Sequence, residues 1–438
     1  MITEFVYRAI GRRDDRPGAP TAGPTMGGVS TEHAAAPPLT PVQRAVLESV
    51  APQTRHNPYD AYEVLRDAGP FVPGPHDTQL VTRHAEAVAI LSDPRWSHAE
   101  EPELLHADSE VELPGSFLWM EPPDHTRLRG LVGKAFTART VDGLRTRAAE
   151  LVTGLVDAAL AEGETDLLEA LAYPVPLTLI CELLGVPAEA HPQVRAMSAG
   201  IARGLDPDLL LSRAELDART AAVHEFTAFF GDLIEQRRRD PRDDLISALV
   251  RAEEAGVRMT HTELVGTLLI LVVAGHETTV NLIGNGVLAL IRHPEQFAAL
   301  RADPELAGPA VDEVLRYDPP VHLTTRTARA PITVAGRDFA PGEAVIVLLG
   351  SANRDPAAFP RAATFDLTRY RGRAERHLSF GLGLHYCLGA PLARLEMRAV
   401  LTELAARVTA MTELAPPPYR PNVVVRGMSA LRVRLEGR

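Results

Sequence analysis

The chain has 438 residues, of which 45% are hydrophobic and 23% are charged, a composition typical of a soluble globular protein with a large core. Its 45 Lys and Arg residues against 57 Asp and Glu residues give a formal net charge of −12, which argues against nucleic acid as the main partner. The two cysteines, Cys181 and Cys387, are too few for a disulfide framework or a multi-cysteine metal cluster and fit a reducing, cytoplasmic setting.

The start of the chain differs in composition from the rest. Residues 1–40 are rich in Pro, Gly, Ala and Thr, with no hydrophobic period and no signal-peptide pattern, so we expect a disordered tail. Residues 41–438 contain no linker-like stretch and no repeat, which predicts a single domain. The apolar run 264–275 is too short to span a membrane and predicts a buried core helix.

Helical spacing of apolar residues dominates the body of the chain. It predicts helices over 140–162, 167–184, 209–238, 261–292, 307–317 and 390–409. Runs of β-forming residues bounded by Gly and Pro predict hairpins over 70–82 and 422–435 and short strands within 321–350. The expected fold is mainly α with small β-sheets. Segment 351–386 has little periodicity, and long irregular segments inside a domain are usually functional.

The most informative stretch is 380–389, with the sequence Phe-Gly-Leu-Gly-Leu-His-Tyr-Cys-Leu-Gly. Its glycines allow backbone conformations that other residues avoid, and the loop leads directly into a predicted helix. Backbone N–H groups and the helix N-terminus would stabilise a thiolate at Cys387. The alternative is a buried structural cysteine at a turn. Cys181, which lies in an apolar run, is expected to be a small buried hydrophobic residue.

The helix predicted over 261–292 would be about 48 Å long and carries Ala-Gly-His-Glu-Thr-Thr at 274–279. Ala274 and Gly275 would leave a groove in the helix, and Thr278 could donate a hydrogen bond to the carbonyl of Ala274. The acid Glu277 beside that hydroxyl suggests a proton relay. The alternative is an ordinary helix with an interior polar patch.

The pattern Phe-Gly-x-Gly-x-His-x-Cys-x-Gly resembles the haem-binding signature of the cytochromes P450, and 274–279 resembles the oxygen-activation motif of that family. The resemblance implies the cytochrome P450 fold, a single triangular haem-binding domain. It implies haem b as the cofactor and Cys387 as the thiolate ligand of its iron. It also implies that Thr278 and Glu277 are catalytic, with Thr278 assisting the activation of dioxygen and Glu277 delivering protons.

The resemblance extends to other residues that would hold the haem. Ala274, Gly275, Phe380 and Gly381 would lie beside it, and Gly389 would let the following helix approach. Four histidine and arginine side chains match the positions that bind the haem propionates: His125, Arg129, Arg326 and His385. The forked guanidinium of arginine suits a carboxylate.

A further match is structural. Glu313 and Arg316 lie three residues apart on one predicted helix and match the Glu-x-x-Arg pair of the family. With Arg369, this pair would lock the irregular segment beneath the haem.

These motifs imply a monooxygenase that hydroxylates or epoxidises a mainly apolar small molecule. The variant with His276 resembles members that modify macrolides and other secondary metabolites, while steroids and terpenoids remain open. The implied pocket walls are 95–119, 186–215, 270–278, 321–324 and 428–429. The candidate substrate contacts within them are Phe117, Trp119, Val321, Leu323 and Met428.

The sequence has no Gly-x-Gly-x-x-Gly fingerprint and no reductase-sized extension. We therefore expect electrons from a separate ferredoxin and ferredoxin reductase, and a monomer that binds neither nucleic acid nor membrane. The candidate basic docking patch is Arg371, Arg373, Arg376, Arg394 and Arg398. Two rival functions are a peroxide-driven or atypical oxidation, against which the intact Glu277 and Thr278 argue, and a non-catalytic haem sensor.

Overall fold

The computed structural model describes residues 38–99, 115–134, 136–254 and 259–437. The tail predicted over residues 1–40 therefore lies almost wholly outside the described residues. The helices are α1 (Pro41–Val50), α2 (Tyr59–Ala68), α3 (His84–Ser92), α4 (Asp124–Gly133), α5 (Ala138–Gly143), α6 (Arg145–Glu162), α7 (Pro174–Leu184), α8 (His191–Arg203), α9 (Arg213–Arg239), α10 (Leu245–Glu254), α11 (His261–Arg292), α12 (Pro294–Ala302), α13 (Ala307–Tyr317), α14 (Leu349–Ala352) and α15 (Ala390–Arg407).

Short strands form three small sheets. They are β1 (Phe71–Pro73), β2 (Gln79–Val81), β3 (Trp96–Ser97), β4 (Glu164–Asp166), β5 (Leu323–Ala328), β6 (Ile332–Val334), β7 (Arg337–Phe339), β8 (Ala344–Leu348), β9 (Val408–Glu413) and β10 (Arg432–Gly437). The described sheets have the orders β1-β2-β8-β5-β3, β4-β10-β9 and β6-β7. All neighbours are antiparallel except the parallel pair β2 and β8. The predicted class, mainly α with small β-sheets, is confirmed.

Several predicted elements have the expected bounds. The helices predicted over 261–292 and 307–317 are α11 and α13, and the hairpin predicted over 70–82 is β1 with β2. The helix predicted over 140–162 divides at Leu144 into α5 and α6. The one predicted over 167–184 begins with a π-helical turn at Leu168–Ala172 before α7.

The hairpin predicted over 422–435 is wrong. Strand β10 pairs instead with β9 and β4, and the residues before it form only isolated bridges such as Val321 with Val425. The alternation of residue types is strand-like, but the N–H groups of Val423 and Val424 donate to the side chain of Asp206 rather than to a neighbouring strand.

Helix α11 runs through two hydrophobic clusters. It begins with a capping box in which Thr260 and Glu263 satisfy each other's backbone N–H groups. Its first half packs in a roof cluster that includes Ile201, Phe226 and Leu268. Its second half packs in a base cluster that includes Val152, Val287, Val314 and Leu401. The polar residues 274–279 lie where the two clusters meet.

The length and composition of α11 would also allow it to cross a membrane. However, 83% of its most apolar window is buried inside the fold. This burial is what a core helix requires, and it agrees with the prediction made for 264–275.

Candidate active site

A cavity of about 430 Å³ lies between α11 and the cysteine loop. Its wall contains Cys387, Phe380 and Gly389 on one side and Ala274 and Thr278 on the other. The structure therefore brings together the two motifs that are separated by about a hundred residues in the sequence. Among the described residues, no cluster of three His, Cys, Asp or Glu side chains could hold a separate metal ion.

The cysteine loop is shaped by two glycines with left-handed backbone. Gly381 and Gly383 have φ values of 65° and 66°, which glycine adopts without strain. A Cβ at Gly383 would also lie 2.4 Å from the carbonyl oxygen of Leu91. The loop closes when the Cys387 N–H donates to the carbonyl of Phe380 at 2.9 Å. Gly383 is thus a determinant of the loop that our site prediction omitted, although the glycine itself was a visible signal.

The two cysteines differ in their surroundings. Burial raises the pKa of Cys181 to about 12, so that thiol is an inert part of the roof cluster. Burial also raises the pKa of Cys387, but the amide of Gly389, the charge of Arg129 and the amide of Ala390 oppose this. Cys387 lines the cavity, where a bound metal cation would deprotonate it outright.

A group of basic side chains lies together at the cavity. Neither ring nitrogen of the buried His125 has a hydrogen-bond partner among the described residues, and neither does Nδ1 of His98. Nε2 of His385 lies 3.6 Å from Oε1 of Glu121, which is longer than a hydrogen bond. The His125 and His385 rings lie 4.6 Å apart, and the His98 and His385 rings 5.3 Å apart. Arg129 and Arg326 line the cavity beside them. His98 was not predicted, because nothing in its local sequence marks it.

The electrostatics of this group call for an anionic partner. Burial lowers the pKa of Arg326 to about 10, against the stabilising charge of Glu121. Burial and the charge of Arg326 together lower the pKa of His385 to about 4. Unsatisfied buried donors and cations are costly, and the carboxylates of a haem would satisfy them. The donor set, the thiol and the small residues that face it therefore fit a haem.

The motif at 274–279 agrees with its prediction at Thr278 and differs from it at Gly275. The Thr278 hydroxyl donates to the carbonyl of Ala274 at 2.5 Å, and Ala274 is exposed to the cavity in the middle of an otherwise buried helix. A Cβ at Gly275, however, would meet Ile180 of α7 at 3.4 Å. Gly275 therefore serves the packing of two helices as well as the cavity wall.

Glu277 is buried and lines the cavity. Its Oε2 accepts a hydrogen bond from Nη1 of Arg420 at 2.8 Å. Burial raises the pKa of Glu277 to about 7, against the charge of Arg195, so this carboxyl can both hold and release a proton at neutral pH. Arg420 lies 143 positions away in sequence, and no local signal could have identified it.

Four of the five candidate substrate contacts line the cavity: Phe117, Trp119, Val321 and Leu323. Met428 does not. It is buried in the base cluster, and a Cβ at Gly284 would lie 3.2 Å from its terminal methyl group. The C-terminal contribution to the wall comes instead from Val423, Val424 and Val425. Residues 100–114 of the predicted wall segment 95–119 lie outside the described residues.

The Glu-x-x-Arg pair forms a buried cluster of charges. Arg316 makes two hydrogen bonds of 2.8 Å to the Glu313 carboxylate, and Nε of Arg369 donates to it at 3.0 Å. Arg316 also donates to the carbonyls of Asn353, Ala362 and Thr364. The three side chains thus fasten the irregular segment that leads to the cysteine loop.

Comparisons with known proteins agree with this geometry. A family model of cytochrome P450 matches residues 205–412. The chain is 42% identical over 393 residues to cytochrome P450 monooxygenase PikC of Streptomyces venezuelae, covering 86% of this chain and 91% of PikC. It is 38% identical over 400 residues to 6-deoxyerythronolide B hydroxylase of Saccharopolyspora erythraea, covering 86% and 96% of the two chains.

Solved structures give the same result for the fold. Ligand-free CYP164A2 of Mycobacterium smegmatis superimposes with a TM-score of 0.83 at 39% identity, covering 89% of this chain and 99% of that one. The cofactor of this family is haem, and several of the relatives are named hydroxylases. The chain therefore belongs to the cytochrome P450 family and is a haem-dependent monooxygenase of the bacterial, secondary-metabolite type.

Proposed function

We propose that this monooxygenase hydroxylates or epoxidises a mainly apolar, uncharged small molecule, such as a macrolide or another polyketide. The observation that carries the proposal is the composition of the cavity wall. Among the described residues, the charged side chains that line it are Arg129, Glu277, Arg326 and Glu396, with His76, His98 and His385 as its histidines. The walls formed by 202–210, 320–323 and 423–425 contribute only apolar side chains, which suit an apolar ligand.

The residues around the cavity divide into two sets. Bound haem supplies the iron at which dioxygen is reduced and one oxygen atom is transferred to the substrate. Cys387 would ligate that iron, and His125, Arg129, Arg326 and His385 would hold the propionates. On the opposite wall, the Thr278 hydroxyl donates its proton to the carbonyl of Ala274, so its Oγ1 can still accept a hydrogen bond in the cavity. Glu277, next to it in the chain, can take up and release protons. The apolar side chains of the wall keep water away from Thr278 and Glu277, except where polar groups can bind it.

The titration of Glu277 gives a pH prediction. Because its pKa is about 7, raising the pH through neutrality removes the proton that Glu277 would deliver, so turnover should fall on the alkaline side. Glu277→Gln should lower turnover by about 10²-fold, the smaller of the effects usual for a lost general acid, and should remove this inflection. The measurement is product formation against pH, with electrons supplied in excess.

The matched control is Glu305→Gln, which neutralises an exposed carboxyl and should leave the pH profile unchanged. An inflection near neutrality that persists in Glu277→Gln would show that another group delivers the proton.

We further propose that a ferredoxin, reduced by its reductase, docks on the arginines beside the cysteine loop. Arg376 and Arg394 flank the Tyr386 side chain, with the Arg376 guanidinium 4.6 Å from the ring centre and Nη1 of Arg394 3.2 Å from the hydroxyl. Arg373 and Arg398 are exposed and make no ion pair within the described part of the chain. Charge on these free side chains would steer an acidic partner.

Arg398 tests this surface better than Arg394 does. Arg394 is bonded to Asp312 at 2.8 Å, so its reversal would also break a structural ion pair. Arg398→Glu should raise the KM for ferredoxin about tenfold at low salt, and added salt should shrink the difference. Steady-state kinetics with varied ferredoxin measure both.

Arg239→Glu serves as the control, since Arg239 is exposed at the end of α9, a helix that packs on α8, α10 and α11. Equal KM values for the Arg398 and Arg239 variants would remove the docking surface from the proposal.

The surface also bears on location and assembly. Val64, at 39% exposure, is the single large hydrophobic side chain exposed among the described residues. A surface without apolar patches suits a water-soluble monomer, and we place the protein in the cytoplasm on this basis and on its cysteine usage.

The proposed function is tested by a screen of uncharged macrolactones, steroids, terpenoids and charged analogues of each. Binding is followed by the haem spin-state shift, and product by mass spectrometry with ferredoxin and reductase. We expect macrolactones to shift the spectrum and to gain one oxygen atom. Preferential binding of charged analogues would overturn the substrate class. Turnover with peroxide but not with ferredoxin would favour the peroxide-driven alternative.

A further inference from the structure

Two loops meet at the wall of the cavity. We call residues 204–212, between α8 and α9, the roof loop, and residues 420–427 the C-terminal loop. The roof loop lines the cavity with Leu205, Pro207 and Leu210, and the C-terminal loop lines it with Val423, Val424 and Val425.

A single buried carboxylate joins these loops. Asp206 of the roof loop is fully buried. The N–H of Val423 lies 3.0 Å from each of its carboxylate oxygens, and the N–H of Val424 lies 2.9 Å from Oδ1. Arg203, at the end of α8, forms an ion pair with the same carboxylate.

The C-terminal loop is held equally well on its other side. The N–H of His322 donates to the carbonyl of Val424 at 3.0 Å, and the N–H of Arg426 donates to the carbonyl of Pro320 at 2.8 Å. Pro320 and Val321 also line the cavity. A continuous line of hydrogen bonds therefore runs from α8 through Asp206 and the C-terminal loop to the strand β5 beyond Pro320.

We propose that Asp206 is a positioning residue that clamps the C-terminal loop against the roof loop and so sets the shape of the substrate end of the cavity. Hydrogen bonds to an ionised acceptor are about twice as strong as neutral ones. Without Asp206, the N–H of Val423 would be buried without a partner and that of Val424 would lose its own. Without this clamp, we expect the roof loop and the C-terminal loop to move independently of each other. This inference rests on the proposed function only in taking this cavity as the substrate site.

The roof loop offers a matched control. Asp208, two residues further on, forms a buried ion pair with Arg219 of α9 at 2.6 Å. That pair fastens the roof loop to its own following helix, whereas the hydrogen bonds from Val423 and Val424 go to Asp206. Asp208→Ala therefore weakens the same loop without breaking the link to Val423 and Val424.

The experiment measures ligand binding to the haem-loaded protein by stopped-flow absorbance. The probes are 4-phenylimidazole, which must occupy the cavity, and carbon monoxide, which is small enough to need no movement of the walls. Asp206→Ala removes the acceptor of both valine amides, and the loss of even one such hydrogen bond corresponds to roughly tenfold, so the association and dissociation rate constants of 4-phenylimidazole should each rise at least roughly tenfold. Carbon monoxide binding should stay within about twofold in both variants.

Asp206→Asn guards against loss of folding, because it keeps the shape of the side chain and one acceptor oxygen, and it should give an intermediate effect. Hydrogen exchange of the wild-type protein provides a measurement without any variant. The amides of Val423 and Val424 should be protected, and bound 4-phenylimidazole should slow their exchange together with that of the roof loop.

Rate constants for Asp206→Ala equal to those of Asp208→Ala, or exchange of Val423 and Val424 that ignores the ligand, would overturn the clamp. Because none of these readouts requires turnover, the clamp can fail while the proposed oxidation stands. The oxidation can also fail, with no macrolactone oxidised, while the clamp stands.

Discussion

Replacing Cys387 with serine is expected to abolish the thiolate-type spectrum of the reduced carbon monoxide complex and to lower monooxygenase turnover by more than about a hundredfold. Loss of a group that merely supports a metal ligand costs about 10- to 100-fold, so loss of the ligand itself should cost more. The loop around it, with Gly381 and Gly383 in left-handed conformations, should persist because the substitution leaves its backbone hydrogen bonds intact. Absorbance spectra of the purified protein give the result directly.

The other cysteine is the natural control. Cys181→Ser places a hydroxyl in the roof cluster, which should cost about 1–3 kcal/mol of unfolding free energy. Cys181 is not among the described residues that line the cavity, so this substitution should leave the spectrum unchanged. A thiolate-type spectrum that survives Cys387→Ser would contradict the assignment of the iron ligand.

The second large effect is expected at Arg316. Arg316→Ala leaves the buried Glu313 without its main partner, and breaking one side of a buried ion pair costs about 3–5 kcal/mol. The side chain also bridges three carbonyls of the irregular segment, so the cysteine loop should loosen and haem should dissociate faster. Urea unfolding of the haem-loaded protein and transfer of haem to an acceptor protein measure the two consequences.

An exposed ion pair provides the comparison. Arg292 pairs with Glu413, and their side chains are 48% and 20% exposed. Arg292→Ala should therefore cost less than about 1 kcal/mol. If Arg316→Ala proved equally mild, the lock beneath the cysteine loop would have to be formed by other contacts.

The elements that could be predicted from sequence are those whose stability is local or periodic. Helix α11 has a continuous apolar pattern and a start signal at Thr260, and its bounds follow from these features. The hairpin predicted over 422–435 failed for a physical reason, because the amide partners of Val423 and Val424 come from Asp206. Alternation of residue types cannot indicate which distant side chain will take a backbone N–H.

The candidate site divides in the same way. Cys387, Thr278 and Glu313 lie in dense local motifs, so the sequence was sufficient to propose them. Arg420 and His98 reach the site only through the fold, since each comes from a loop whose local residues carry no distinctive pattern. Met428 was misplaced because its neighbours in sequence do line the cavity, and only the packing around Gly284 shows that its side chain points elsewhere.

The division of α11 between the roof cluster and the base cluster has a consequence for how such an enzyme can diverge. Stability effects of substitutions that share no contacts are nearly additive, so changes in the roof cluster can accumulate with little penalty from the packing around Glu313. A lineage can therefore acquire new substrates by altering the roof cluster while inheriting unchanged the buried charges around Glu313 that fasten the segment leading to the cysteine loop.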